Sequence, residues 1–124
     1  MKRIMLLLCL TLVSCGKDDG ITPVSFVQLL SNPGKLEGKR VSVFGFFAVG
    51  VGAELFIDKV HAQFGDGASA ITVIDTTENG EMTFNCQGKY VIIKATFDMH
   101  RGLHSLKDVE RIYEPGKPPC FASQ

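Results

Sequence analysis

The chain has 124 residues, 45% of them hydrophobic and 21% charged, with 13 basic and 13 acidic side chains in formal balance. That length sets a limit of one domain, the composition excludes a disordered or repetitive chain, and the charge balance excludes the basic excess of a polyanion binder. The first element is a leader: Met1-Lys2-Arg3, an apolar run from Ile4 to Val13, then Ser14-Cys15-Gly16. A charged start, an apolar centre and small residues at the end are the zones of a secretory signal. The apolar run covers ten residues, half of the roughly 20 that a helix needs to cross a bilayer.

Leu12-Val13-Ser14-Cys15 resembles the lipobox of bacterial lipoproteins. The resemblance implies that residues 1–14 are cleaved off and that Cys15 carries diacylglycerol as the first residue of the mature chain. Two acyl chains suffice for stable anchoring, at about 0.8 kcal/mol per buried CH₂. A lipid-anchored domain on the periplasmic side of the cell envelope is therefore expected, with the membrane as its first partner. Gly16 stands where some bacteria place an aspartate that retains lipoproteins at the inner membrane, which favours the outer membrane. Loss of the leader removes Lys2 and Arg3, leaving 11 basic and 13 acidic residues in 110, a formal charge of −2. Nucleic acid is not an expected partner of such a chain. Cys9 leaves with the leader and Cys15 takes the lipid, so Cys86 and Cys120 remain, and an oxidising compartment favours a disulfide between them. Closing a loop of about 35 residues would contribute roughly 4 kcal/mol in a chain-entropy account.

Residues 15–22 form a short polar tether, and residues 23–124 form the folded domain. Thr22-Pro23 has the pattern of an N-cap followed by proline at the first helical position. A helix of about nine residues should follow, burying Phe26, Leu29 and Leu30 on one face and stopping at Asn32-Pro33-Gly34. Strands are expected at 40–47, 54–57, 70–74, 90–97 and 103–113, the last with an interruption near Lys107-Asp108. Val41 and Val43 alternate with Arg40 and Ser42, whereas the stretch from Phe44 to Phe47 reads as covered on both faces. Gly45 inside that strand marks a bend. Residues 58–64 read as one helical turn, and Lys117-Pro118-Pro119 as an extended return that brings Cys120 to the body.

Five short strands and one helix resemble an OB-like barrel, in the helix-first order of a group of small secreted and lipid-anchored bacterial proteins of unknown function. The phrases that carry the likeness are Val27-Gln28-Leu29-Leu30-Ser31-Asn32-Pro33, Leu36-Glu37-Gly38-Lys39-Arg40-Val41-Ser42-Val43-Phe44-Gly45-Phe46, Gly88-Lys89-Tyr90-Val91 and Gly102-Leu103. The resemblance implies a mainly β fold, a five-stranded OB-like barrel preceded by one short N-terminal α-helix. It carries over no residue roles, since a fold does not fix a function.

His100-Arg101-Gly102-Leu103-His104 is the most suggestive stretch for chemistry, two imidazoles flanking an arginine between the last two strands. In OB-like barrels that loop rims the ligand face, so His100, Arg101 and His104 are candidate ligand contacts, with Arg101 suited to a carboxylate. A zinc site would need three or four ligands and would have to recruit Asp98, Asp108 or His61, so no metal and no cofactor is assigned. Catalysis has weak support: there is no Gly-x-Ser-x-Gly elbow, and Asp75, Glu78 and Glu81 read as a solvated loop as readily as an acid and base pair. The expected function is a non-catalytic binding or assembly module that docks an envelope protein or glycan near the membrane. The alternative is a metal-binding protein or hydrolytic enzyme using the His100/His104 loop. Nothing in the sequence specifies an oligomeric state.

Overall fold

The computed structural model describes residues 20–65 and 67–124. The leader, Cys15 and the first part of the tether lie outside the described residues. In chain order the elements are β1 (Thr22–Pro23), α1 (Phe26–Ser31), α2 (Pro33–Leu36), β2 (Arg40–Val49), β3 (Ala53–Phe56), α3 (Lys59–Gln63), β4 (Ile71–Val73), α4 (Glu81–Cys86), β5 (Lys89–His100), β6 (Leu103–Tyr113) and β7 (Pro119–Ala122). β2 pairs antiparallel with β3 and β5, β3 antiparallel with β4, β4 parallel with β6, and β6 antiparallel with β5. These pairings close a five-stranded barrel in the order β2-β3-β4-β6-β5, and the fold is mainly β and OB-like, as the sequence implies. β1 and β7 pair with the stretches of β2 and β6 that the barrel partners leave open, at Val41–Ser42 and Arg111–Tyr113. Such cover blunts the exposed edges that would otherwise invite pairing with other chains.

Alternation builds the interior. Val91, Ile93, Ala95 and Phe97 of β5 are fully buried and meet Val41, Val43, Phe47, Leu55, Ile71, Leu106 and Ile112 in one core. Each large side chain of this set contributes roughly 1.5–3 kcal/mol by leaving water. Phe46 and Phe56 are also buried but lie apart from that core, paired with each other on the barrel's outer side near α3. The stretch from Phe44 to Phe47 is therefore covered on both faces at Phe46 and Phe47, while Phe44 stays half exposed. The interruption expected in β6 is a bulge: Lys94 faces Arg111 but Thr96 faces Lys107, and Asp108 takes the left-handed conformation, φ 49°. Extra residues on one strand increase local twist, which helps a short barrel close.

The N-terminal helix differs from its expected form. Thr22 and Pro23 do not open it; they run parallel to Val41–Ser42 as β1. Ser25 is the N-cap, because Gln28 three residues later completes a capping box. The Gln28 backbone N–H donates to Ser25 Oγ at 3.1 Å, and the Ser25 backbone N–H donates to Gln28 Oε1 at 2.7 Å. Two of the orphan donors of a helix start are thereby satisfied, which Thr22 could not achieve. The helix runs only six residues and buries Phe26 and Leu29. Pro33 then opens the separate turn α2 instead of merely ending α1. Asp58 caps α3, and its carboxyl is held below its ordinary pKa by the backbone N–H and ring of His61.

The acidic segment after β4 is likewise more ordered than a solvated loop. Gly80 at the N-cap of α4 has no side chain, and Asp75 and Thr77 cap the helix from a distance. Thr77 Oγ1 accepts from the Met82 backbone N–H at 2.9 Å, and Asp75 Oδ2 accepts from that of Thr83 at 3.0 Å. The hydroxyls of Thr77 and Thr83 both donate to the same carboxylate. α4 turns Met82 and Cys86 into the core. Cys86 is joined to Cys120 on β7, Cα atoms 5.5 Å apart, closing a separation of 34 residues.

Candidate binding surfaces

β5 and β6 are joined by Arg101 and Gly102, both left-handed at φ 53° and 80°. A two-residue turn with positive φ at both positions matches the right-handed twist of its strands, so the hairpin is tight. His100 pairs with Leu103, and Met99 with His104. Alternation therefore sends His100 and His104 to opposite faces of the hairpin, with Arg101 exposed at the tip. His104 lies beside the core residue Phe97, ring centroids 6.1 Å apart, and its Nε2 is buried without a hydrogen-bond partner in the protein. The structure thus separates the two imidazoles that the sequence places side by side. Among the described residues, no group of three or more His, Cys, Asp or Glu side chains is arranged to hold a metal ion.

His100 joins a different set. Asp98, His100, Ser105 and Lys107 from the hairpin and Ile74, the residue after β4, line a cleft of about 290 Å³ on the outer face of the barrel. Ser105 faces Asp98 across the β5–β6 ladder and Thr72 across the β4–β6 ladder. Lys107 Nζ stands 3.4 Å from Asp98 Oδ2. Both partners are partly open to solvent, where such a pair contributes about 0–1 kcal/mol, so either charge can turn to a ligand at small cost. Ser105 is almost completely buried, and its hydroxyl donates to the Leu103 carbonyl, not to a histidine. The cleft offers an ammonium, a carboxylate, an imidazole and an apolar wall within one concavity. It is equipped to recognise amide, hydroxyl or carboxylate groups. His100 was legible in the sequence as a candidate, with Asp98 as a possible recruit beside it; Ile74, Ser105 and Lys107 as its neighbours were not. Only the strand pairing reveals that neighbourhood.

A second surface lies on the outside of β2. Val24, Ser25, Phe26, Val27, Phe44 and Ile57 line a groove of about 290 Å³. Phe44 stacks on Tyr90, centroids 5.8 Å apart and nearly parallel, and Tyr90 meets Phe46 edge-on at 5.0 Å. The Tyr90 hydroxyl accepts from the Lys59 backbone N–H at 3.0 Å. The phenylalanines thus serve both the core, at Phe47 and Phe97, and this outer patch, at Phe44 and Phe46, a division that strand alternation alone could not settle for Phe44.

Comparison of the chain with protein-family models, curated proteins and solved structures finds no match.

Proposed function

We propose that the chain is an exported lipoprotein, cleaved before Cys15 and anchored by the acyl chains on that residue, with the outer membrane as its preferred site. Its barrel is a non-catalytic binding module that docks a protein partner or an envelope polymer close to that membrane. The observation that supports the binding reading best is the place of the Asp98–His100–Ser105–Lys107 cleft. It borders the third barrel strand and the loop between the fourth and fifth, the region where OB barrels receive oligosaccharides and oligonucleotides. Arg101 stands beside it at the hairpin tip, available to a carboxylate through paired hydrogen bonds. Tethering raises the effective concentration of the cleft against anything fixed to the same surface, so modest contacts suffice.

Cross-linked affinity capture from the native envelope tests this reading. The anchored protein is compared with its Cys15→Ala form and with the double variant His100→Ala/Lys107→Ala. A partner recovered in near-equal amount with the anchored protein, and lost from both variants, is the expected outcome. Recovery that neither change affects would contradict it.

A further inference from the structure

We propose that the outer face of β2 is the membrane-docking surface of the domain, and that phospholipid fills the groove between Val24, Val27, Phe44 and Ile57. The inference rests on the reading of Cys15 as the lipid anchor and adds to it which way the domain faces. Gly20, the first described residue, lies five positions after Cys15. At no more than about 3.6 Å per residue these five steps reach about 18 Å. Gly20 leads straight into β1, which lies along β2, and Val24, the next residue after β1, already lines the groove. The groove thus opens where the tether enters the domain, within a short chain's reach of the bilayer.

The chemistry of the face agrees with that occupant. Val27, Phe44, Ile57 and Tyr90 are each exposed by 39 to 56%. Large apolar side chains gathered on a soluble face are unfavourable in water and favourable at the boundary between headgroups and acyl chains. Tyr90 has the two-sided character of residues that settle there, its ring against Phe44 and its hydroxyl on a backbone amide. The opposite end of the same strand carries the polar cleft. From Tyr90 to His100 β5 advances ten residues, about 33 Å measured along the strand, so docking through Phe44 leaves His100 and Arg101 at the other end of that strand.

The chain contains no tryptophan, so Phe44→Trp and Leu103→Trp each introduce a single emitter, one in the groove and one at the hairpin. Each variant is purified from its own membranes and placed in phosphatidylethanolamine/phosphatidylglycerol vesicles containing brominated acyl chains, which quench only tryptophan that enters the bilayer. The expected result is loss of most of the emission in Phe44→Trp and little loss in Leu103→Trp. Unchanged emission from Phe44→Trp, or equal quenching of the two, would overturn the proposal. Intact mass reads the acylation of Cys15 separately. Should the chain prove unacylated, coupling the Cys15 thiol of the mature chain to a maleimide-bearing phospholipid supplies the same tether and the same quenching readout, because Cys86 and Cys120 are already joined.

Discussion

At Gly45 a Cβ would stand 2.7 Å from the Phe56 carbonyl oxygen and 2.8 Å from Leu55 Cγ. The first contact is backbone and the second is a fully buried core side chain, so neither can give way without moving β3. Gly45→Ala should lower stability by about 1–3 kcal/mol, the usual range for overpacking, read as a lower midpoint in urea. Asp75 makes a different kind of argument. Burial works against its charged form, yet the hydrogen bonds from Thr77 and Thr83 outweigh it and hold its pKa below the ordinary carboxylate value. A carboxyl whose pKa is lower in the folded state stabilises the fold above its unfolded pKa, and that contribution disappears as pH falls through the folded value. Asp75→Asn should therefore cost about 1–2 kcal/mol near neutral pH, after allowance for solvent screening. The gap between variant and parent should narrow steadily in titrations below about pH 4, the unfolded carboxyl value.

Elements that alternate over many residues were legible before the structure. All five barrel strands lie within three residues of their expected ends, because β5 in particular writes its buried face as Val91, Ile93, Ala95 and Phe97. α4 was not legible. Its six residues bury only Met82 and Cys86, and its cap comes from Asp75 and Thr77 rather than from the adjacent Gly80. Short elements capped through space leave no local signature. β1 escaped for a related reason: Thr22-Pro23 has a good helix-start pattern, and only the pairing with β2 and the stronger Ser25–Gln28 box displace it. α4 and β7 meet at the Cys86–Cys120 disulfide. Reduction should lower the melting temperature and cost roughly 4 kcal/mol by chain entropy. The double variant Cys86→Ala/Cys120→Ala should show the same loss in denaturant while keeping the β-type circular dichroism of the barrel.

For the whole molecule, the two surfaces give the domain a direction. The apolar groove of Val24, Val27, Phe44 and Ile57 adjoins β1 at the start of the described residues, and the polar cleft of Asp98, His100, Ser105 and Lys107 lies at the far end of β5. Half of that arrangement could be foreseen, since His100 and Arg101 stood out in the sequence. Their separation from His104 could not, because it depends on the tight Arg101-Gly102 turn that fixes the register. If the module is held at Cys15 and docked through the β2 face as proposed, it should bind its partner through the hairpin end alone. Photo-cross-linking in the native envelope measures this most directly, with a photoreactive residue placed in turn at Leu103 beside the cleft, at Lys35 on α2 and at Phe84 on α4, all exposed positions. The account predicts one discrete adduct from position 103, absent from positions 35 and 84 and lost when Cys15 is replaced by Ala. Adducts of the same partner from position 84 or 35 with none from 103 would contradict it.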